Sequence, residues 1–226
     1  MKTLKTKLFA SLYVALFILI ILSGTKKVNA AENAPVVTEL KDKAIISKIY
    51  VKGNVEVFIT QGEEQSIKVY DNYYGKNALT QVENDGTLRI SSHSEKKLSV
   101  WVTVENLKSI EAHDQAVVYS VNEIIALELQ VTLTNSALAH LEIDTYELNT
   151  KISDSSKLVL VGRTEVQNVN ASNFSNLDVS KFNSSSESLI LKDESSITLG
   201  NQQNFNPAMA KCDNPKCEAK LGLITF

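Results

Sequence analysis

Apolar and polar residues alternate along most of this chain with a period of two, and from Leu107 onward the alternation itself recurs at a short, nearly fixed interval. A short polar turn returns at Asp114, Asn135, Asp154, Asn173 and Glu194, at spacings of 21, 19, 19 and 21. A small residue follows each turn, at Ala116, Ala137, Ser156, Ser175 and Ser196. Alternating stretches flank the turns: Val131 and Leu133 precede Asn135, and Leu141 and Ile143 follow it. Strict alternation marks a half-buried strand. Self-similarity at a short fixed period marks a solenoid, whose units bury their apolar faces only by stacking on one another. The pattern predicts an all-β fold: a single-stranded, right-handed parallel β-helix. Its units run Leu107–Ala126, Leu127–Glu147, Leu148–Asn168 and Val169–Ser188, with a partial fifth from Leu189.

Upstream the same alternation is present without the repeat. Ile49 and Val51, then Val55, Val57 and Ile59, predict two short strands around Gly53-Asn54. Ile67 and Val69 predict another, and Asp85-Gly86 is a hairpin turn ahead of Leu88 and Ile90. Leu98, Val100, Val102 and Val104 predict a further strand. Val121 to Leu129 comes nearest to a helical period, and β fits it better. A terminal coil exposes apolar side chains and open strand edges. The N-terminal strands are therefore expected to cap the solenoid or extend it, and the tail 204–226 to cap the other end.

The segment from Met1 to Ala30 stands apart. Lys2, Lys5 and Lys7 precede an uncharged run from Leu8 to Leu22, and Val28-Asn29-Ala30 offers small residues for a peptidase. This is the layout of a secretory signal peptide cut after Ala30. An uncleaved anchor is the alternative, favoured by Lys26 and Lys27 so close to the cut. The chain then divides into a signal peptide (1–30), a polar lead-in (31–44), an N-terminal β segment (45–106), rungs (107–203) and the capping tail (204–226).

Processing changes the charge. Of 23 basic residues five lie in the leader, and none of the 26 acidic ones does, so the mature chain carries a net charge of −8. An acidic surface argues against nucleic acid as a partner, and contact with membranes is expected only through targeting. Cys212 and Cys217 read as a local disulfide around Asn214-Pro215 in an exported protein, with free thiols the alternative.

Three blocks of the N-terminal half carry a resemblance. They are Ile49-Tyr50-Val51-Lys52-Gly53-Asn54-Val55-Glu56-Val57-Phe58-Ile59-Thr60-Gln61-Gly62, Asp85-Gly86-Thr87-Leu88-Arg89-Ile90, and Val102-Thr103-Val104-Glu105-Asn106-Leu107-Lys108-Ser109-Ile110. In this order and spacing the chain, over roughly Ile45 to Gly200, resembles the bacterial GIN-domain family of auto-transporter adhesin heads. The resemblance implies a β-helical, exported protein of Bacteroidetes-type bacteria, in the periplasm, at the outer-membrane surface or outside the cell. It brings no catalytic motif. The chain departs from the family in its turns, such as Asn135-Ser136-Ala137, in its few rung glycines, and in the Cys pair of its tail.

Candidate chemistry is sparse. His113, His140 and His93 each read as solvated histidines, not as members of a catalytic or metal cluster. The stacked Asp and Asn turns could offer oxygen ligands to calcium, but turn chemistry alone favours these residues, and the Gly-rich calcium-binding nonapeptide is missing. Polysaccharide lysis or hydrolysis needs convergent carboxylates or a basic residue in a groove, and Arg163 is the only arginine of the rungs. Trp101 alternates with Val100 and Val102 and so points to the opposite face, as a sugar platform or in structural packing. No residue is assigned a catalytic or metal role, and no cofactor is expected. The reading is a non-enzymatic, exported adhesin-like or envelope-binding module with an unidentified glycan or protein ligand. A carbohydrate-active β-helix enzyme and a structural or signalling envelope protein are the alternatives.

Overall fold

The computed structural model describes residues 37–40, 44–70, 78–200, 210–212 and 218–221. The leader, with its expected cleavage, lies outside the described residues. The strands in chain order are β1 (Val37–Leu40), β2 (Lys48–Gly53), β3 (Val55–Gln61), β4 (Ser66–Tyr70), β5 (Ala78–Val82), β6 (Thr87–Ser92), β7 (Leu98–Val104) and β8 (Ser109–His113). They continue as β9 (Val117–Ser120), β10 (Ile124–Leu133), β11 (Leu138–Ile152), β12 (Lys157–Ala171), β13 (Asn176–Leu191), β14 (Ser196–Leu199), β15 (Ala210–Cys212) and β16 (Glu218–Leu221). All belong to one sheet.

From β8 onward the ladder is parallel and its offset is the sequence repeat. Ser109 pairs with Gln130 and Val117 with Leu138, the same offset that separates the turns at Asp114 and Asn135. Leu138 pairs with Lys157 and Lys157 with Asn176, matching the shorter steps from Asn135 to Asp154 and from Asp154 to Asn173. Between Val159 and Val161 the register with β13 slips by one position, after which Val161 faces Lys181. With that one insertion the last step is 20 residues, one fewer than the sequence spacing of 21 implies. The residue in register with Asp154 and Asn173 is Asp193, not the expected Glu194, and the buried small residue is Ser195, not Ser196.

The N-terminal segment joins the same ladders out of chain order. Ile49 of β2 lies between Leu88 of β6 and Ile110 of β8, and Val57 of β3 between Val100 of β7 and Val118 of β9. The stretch β6–β7 is therefore laid on the far side of β2–β3, although it follows them in sequence. A purely parallel solenoid is not what the strands build, because the sheet is mixed. β5 pairs antiparallel with β6, β4 with β7, and β1 with β4. These short antiparallel partners cover the open edges of β6 and β7, where unpaired backbone would otherwise invite another chain. At the other end β15 and β16 continue the ladder in parallel against β13 and β14. The remainder of the expected C-terminal cap lies outside the described residues.

The core is a set of vertical columns. Val51, Ile90, Ala112, Leu133, Ile152, Ala171 and Leu191 form one, each 0% exposed. Each fully buried Leu or Ile contributes roughly 1.5–3 kcal/mol. The rungs turn through two successive residues of positive φ: Asp114-Gln115, Asn135-Ser136, Asp154-Ser155, Asn173-Phe174 and Asp193-Glu194. Asp and Asn tolerate this left-handed region best among residues with a side chain, which is why they recur at the first position.

Candidate functional site

Aromatic rings line up along the outward side of the ladder built by β4, β7, β3 and β9. Val57 and Ile59 are buried, so Phe58 between them points out; Trp101 does so between Val100 and Val102. Parallel pairing sets Phe58 against Trp101 on one side and Tyr119 on the other. The Phe58 and Trp101 centroids are 4.6 Å apart with ring planes 21° from parallel, and Phe58 and Tyr119 are 5.4 Å and 17° apart. Tyr70 meets Trp101 at 6.4 Å in a tilted contact. Lys68 and His140, both exposed, extend the column at its two ends.

The geometry decides what this ridge can do. Stacked rings spend their faces on one another and turn their edges to solvent. A sugar ring packs on an aromatic face, so the interior of the ridge is no flat sugar platform. Trp101, 41% exposed, is the most exposed of the four rings in this row. Beside the ridge, Ser99 donates to Glu56 at 2.6 Å and Ser66 to Thr103 at 3.2 Å. Trp101 was legible as outward-facing from alternation alone. Phe58 and Tyr119 were missed as its partners, although Phe58-Ile59-Thr60 and Trp101-Val102-Thr103 share one pattern.

The histidines do not meet. His113 shares a 2.6 Å hydrogen bond with the Thr134 hydroxyl, stands 3.8 Å from Glu111, and packs on Tyr50 at 4.9 Å. Arg89 lies 4.2 Å above that same Tyr50 ring and is held by Glu83 at 2.8 Å. His140 stands in the aromatic column, and His93 is exposed in the turn after β6. Arg163 is engaged by Asp144 at 2.9 Å.

The turn column alternates in chemistry as well as in position: Asp114, Asn135, Asp154, Asn173, Asp193. Asn135 Nδ2 donates to Asp114 at 2.9 Å, and Asn173 Nδ2 to Asp154 at 2.8 Å. The backbone adds its own ladder, with Ser136 N donating to Asp154 O and Ser155 N to Asn173 O, both at 2.8 Å. Asn135, and then Lys52, hold the Asp114 carboxyl below its ordinary pKa; Asn173 and Ser153 do the same for Asp154. Each carboxylate is thus separated from the next by an amide donor. Among the described residues no group of three or more His, Cys, Asp or Glu is arranged to hold a metal ion. Cys212 falls in β15 and Cys217 outside the described residues, as does any bond between them.

The family model described as "Putative auto-transporter adhesin, head GIN domain" matches residues 46–204. The chain belongs to the GIN-domain family. Among solved structures, this GIN domain is similar to a "putative adhesin" from Parabacteroides merdae, with TM-score 0.62 and 14% identity over 82% of this chain and 95% of that one. It is also similar to a "putative adhesin" from Bacteroides fragilis, with TM-score 0.64 and 16% identity over 73% and 79% of the two chains. A third, from Parabacteroides distasonis, is called a "putative lipid binding protein", with TM-score 0.58 and 14% identity over 74% and 82%. At such identities the likeness speaks for the fold alone. Comparison with the curated proteins returns no match.

Proposed function

We propose that this GIN domain is an exported, non-enzymatic binding module of adhesin type, wound as a right-handed parallel β-helix and displayed at the cell envelope. The reading rests on one observation: an outward sheet face carries a continuous row of aromatic rings, Tyr70–Trp101–Phe58–Tyr119. A ridge contacts a partner over area and rim, as surface-recognition sites do, with aromatic anchors supplying most of the affinity. Catalysis would ask instead for a groove with convergent acid and base, whereas Arg163 and Asp144 here hold each other. The basic leader and its small-residue cut site support export. In the oxidising compartment this implies, a local Cys212–Cys217 disulfide would persist.

The test is binding of the purified protein to arrays of glycans, matrix proteins and whole cells, repeated with Trp101→Ala. Retention that Trp101→Ala abolishes supports the proposal. Turnover of any polysaccharide, with or without calcium, would replace it with a carbohydrate-active enzyme. Failure across every array would leave a structural or signalling role in the envelope.

A further inference from the structure

A second surface lies along the first half of β10. The first half of β10 pairs on one side with β11, from Ile124 opposite Ile143 to Leu129 opposite Leu148. On its other side β10 meets β8 only from Gln130 onward. Among the described residues, then, no strand runs along Ile124–Leu129 on that side. An amide already sits there in part: Gln61 Oε1 accepts from Ile125 N at 2.6 Å, and Gln61 Nε2 donates to Ile125 O at 2.9 Å. Beside this edge runs an open groove of about 1060 Å³, walled by Ala44, Ile45, Ala126, Leu127 and the Asp85-Gly86 turn. Its apolar side chains stand out from the surface, Leu127 79% exposed and Ile45 74%.

We propose that this edge docks an extended polypeptide of another protein, one whose side chains alternate between apolar and basic. The open edge calls for backbone amides, which give affinity in strand addition, while alternate side chains give specificity. Ile45, Ile125 and Leu127 call for apolar side chains. Charge selects the rest. Glu123 and Glu128 flank the edge, Glu142 and Glu165 lie on the rungs above, and Glu105 lies at its start, all exposed. Among the described residues beside the edge, Arg163 is bound by Asp144 and Lys48 by Asp85, which leaves Lys108 against this surplus. A second copy of this chain fits poorly, because antiparallel self-pairing of the edge would bring Glu123 and Glu128 of the two copies together. An anionic lipid surface is repelled by the same carboxylates.

The probe is a labelled octapeptide of alternating valine and lysine, titrated with the purified protein at low salt and followed by fluorescence anisotropy. The expected result is saturable binding that Leu127→Lys weakens about tenfold or more. Glu123→Lys should weaken it severalfold, and a valine–glutamate peptide should bind at least about tenfold more weakly. Trp101→Ala should bind as the parent does, which separates this surface from the aromatic ridge. An unchanged melting temperature shows that Leu127→Lys still folds. The proposal is overturned by equal binding of the glutamate peptide, by no binding, or by binding indifferent to Leu127→Lys. Uptake by phosphatidylglycerol vesicles or a dimer, either one lost in Leu127→Lys, would hand the groove to a lipid or to a second copy.

Discussion

The side-chain amide of Gln61 stands where a peptide unit of a missing strand would stand, bonded to both the N–H and the C=O of Ile125. Its Nε2 also donates to Glu105 O at 2.8 Å, while Gln61 N donates to Asn122 Oδ1 and Asn122 Nδ2 donates back to Gln61 O. One residue at the end of β3 thereby ties together three chain segments. Gln65 repeats the device on a smaller scale, accepting from Ile46 N at 2.7 Å and donating to Ala44 O at 2.7 Å. Leucine at position 61 keeps the bulk and loses these bonds, so Gln61→Leu should cost about 1–2 kcal/mol in urea unfolding, moderated by solvent access. Gln61→Glu should cost more, since it sets a carboxylate against two carbonyl oxygens. Equal stability of all three proteins would remove Gln61 from this role.

The alternation of Asp and Asn in the turn column predicts an asymmetry between two small changes. Asn135→Asp replaces a donor to Asp114 by a like charge and sets three carboxylates in a row, Asp114, Asp154 and the new one. It should destabilise by about 0.5 kcal/mol at neutral pH, a loss that added salt reduces. Asp114→Asn should be milder, because the column then gains an amide and loses a charge. Melting curves at low and high salt decide it.

Acid should weaken the fold through the same column. Asp114 and Asp154 have folded pKa values lowered below the ordinary 3.8 by the amides that donate to them. A lowered carboxyl binds fewer protons folded than unfolded, so its contribution is complete above the unfolded value and lost as pH falls through the folded one. Stability should therefore hold down to about pH 4 and decline below it. A double Asn135→Ala, Asn173→Ala variant should show a shallower decline over that window in urea titrations. An identical slope would mean that the donors do not set it.

Gly162 admits no side chain. Its φ is +109°, and a Cβ there would meet Ile143 O at 2.1 Å in the rung below. It stands in register between Ile143 and the buried Phe182. Gly162→Ala should cost about 2–4 kcal/mol, from backbone strain together with the forced separation of two rungs. A melting temperature within a degree or so of the parent would contradict this.

Phe58 shields one face of Trp101, and tryptophan emission can report it. Phe58→Ala should shift the emission of Trp101, the chain's only tryptophan, to the red. It should also destabilise the protein by about 1–2 kcal/mol, part of it from the lost stacking. Tyr119→Ala, one ring further along the ladder, should leave the emission nearly in place. If both variants shift it equally, the stack is not as described.

The sequence alone determined what short-range rules control. Alternation at Val55, Val57 and Ile59 meant strand, because a pleated strand turns successive side chains to opposite faces. Asp and Asn recurring at a nearly fixed interval meant turns, and that interval was close to the offset of the ladder. Family membership was likewise legible, in three ordered blocks. Only the tertiary structure decided what depends on which edges meet. That β6 and β7 are laid on the far side of β2 and β3 is a choice among parallel edges of similar apolar content, which alternation cannot rank. It is that choice which brings Trp101 beside Phe58 and sets Tyr119 on the other side. The slip between Val159 and Val161 adds a single residue to the last step, which therefore ends at Asp193 and not at the Glu194 that the local pattern picks out, because alternation alone does not reveal how many residues a bulge inserts. Gln61 could be read only as a polar residue before a turn until the strand it replaces was seen to be missing.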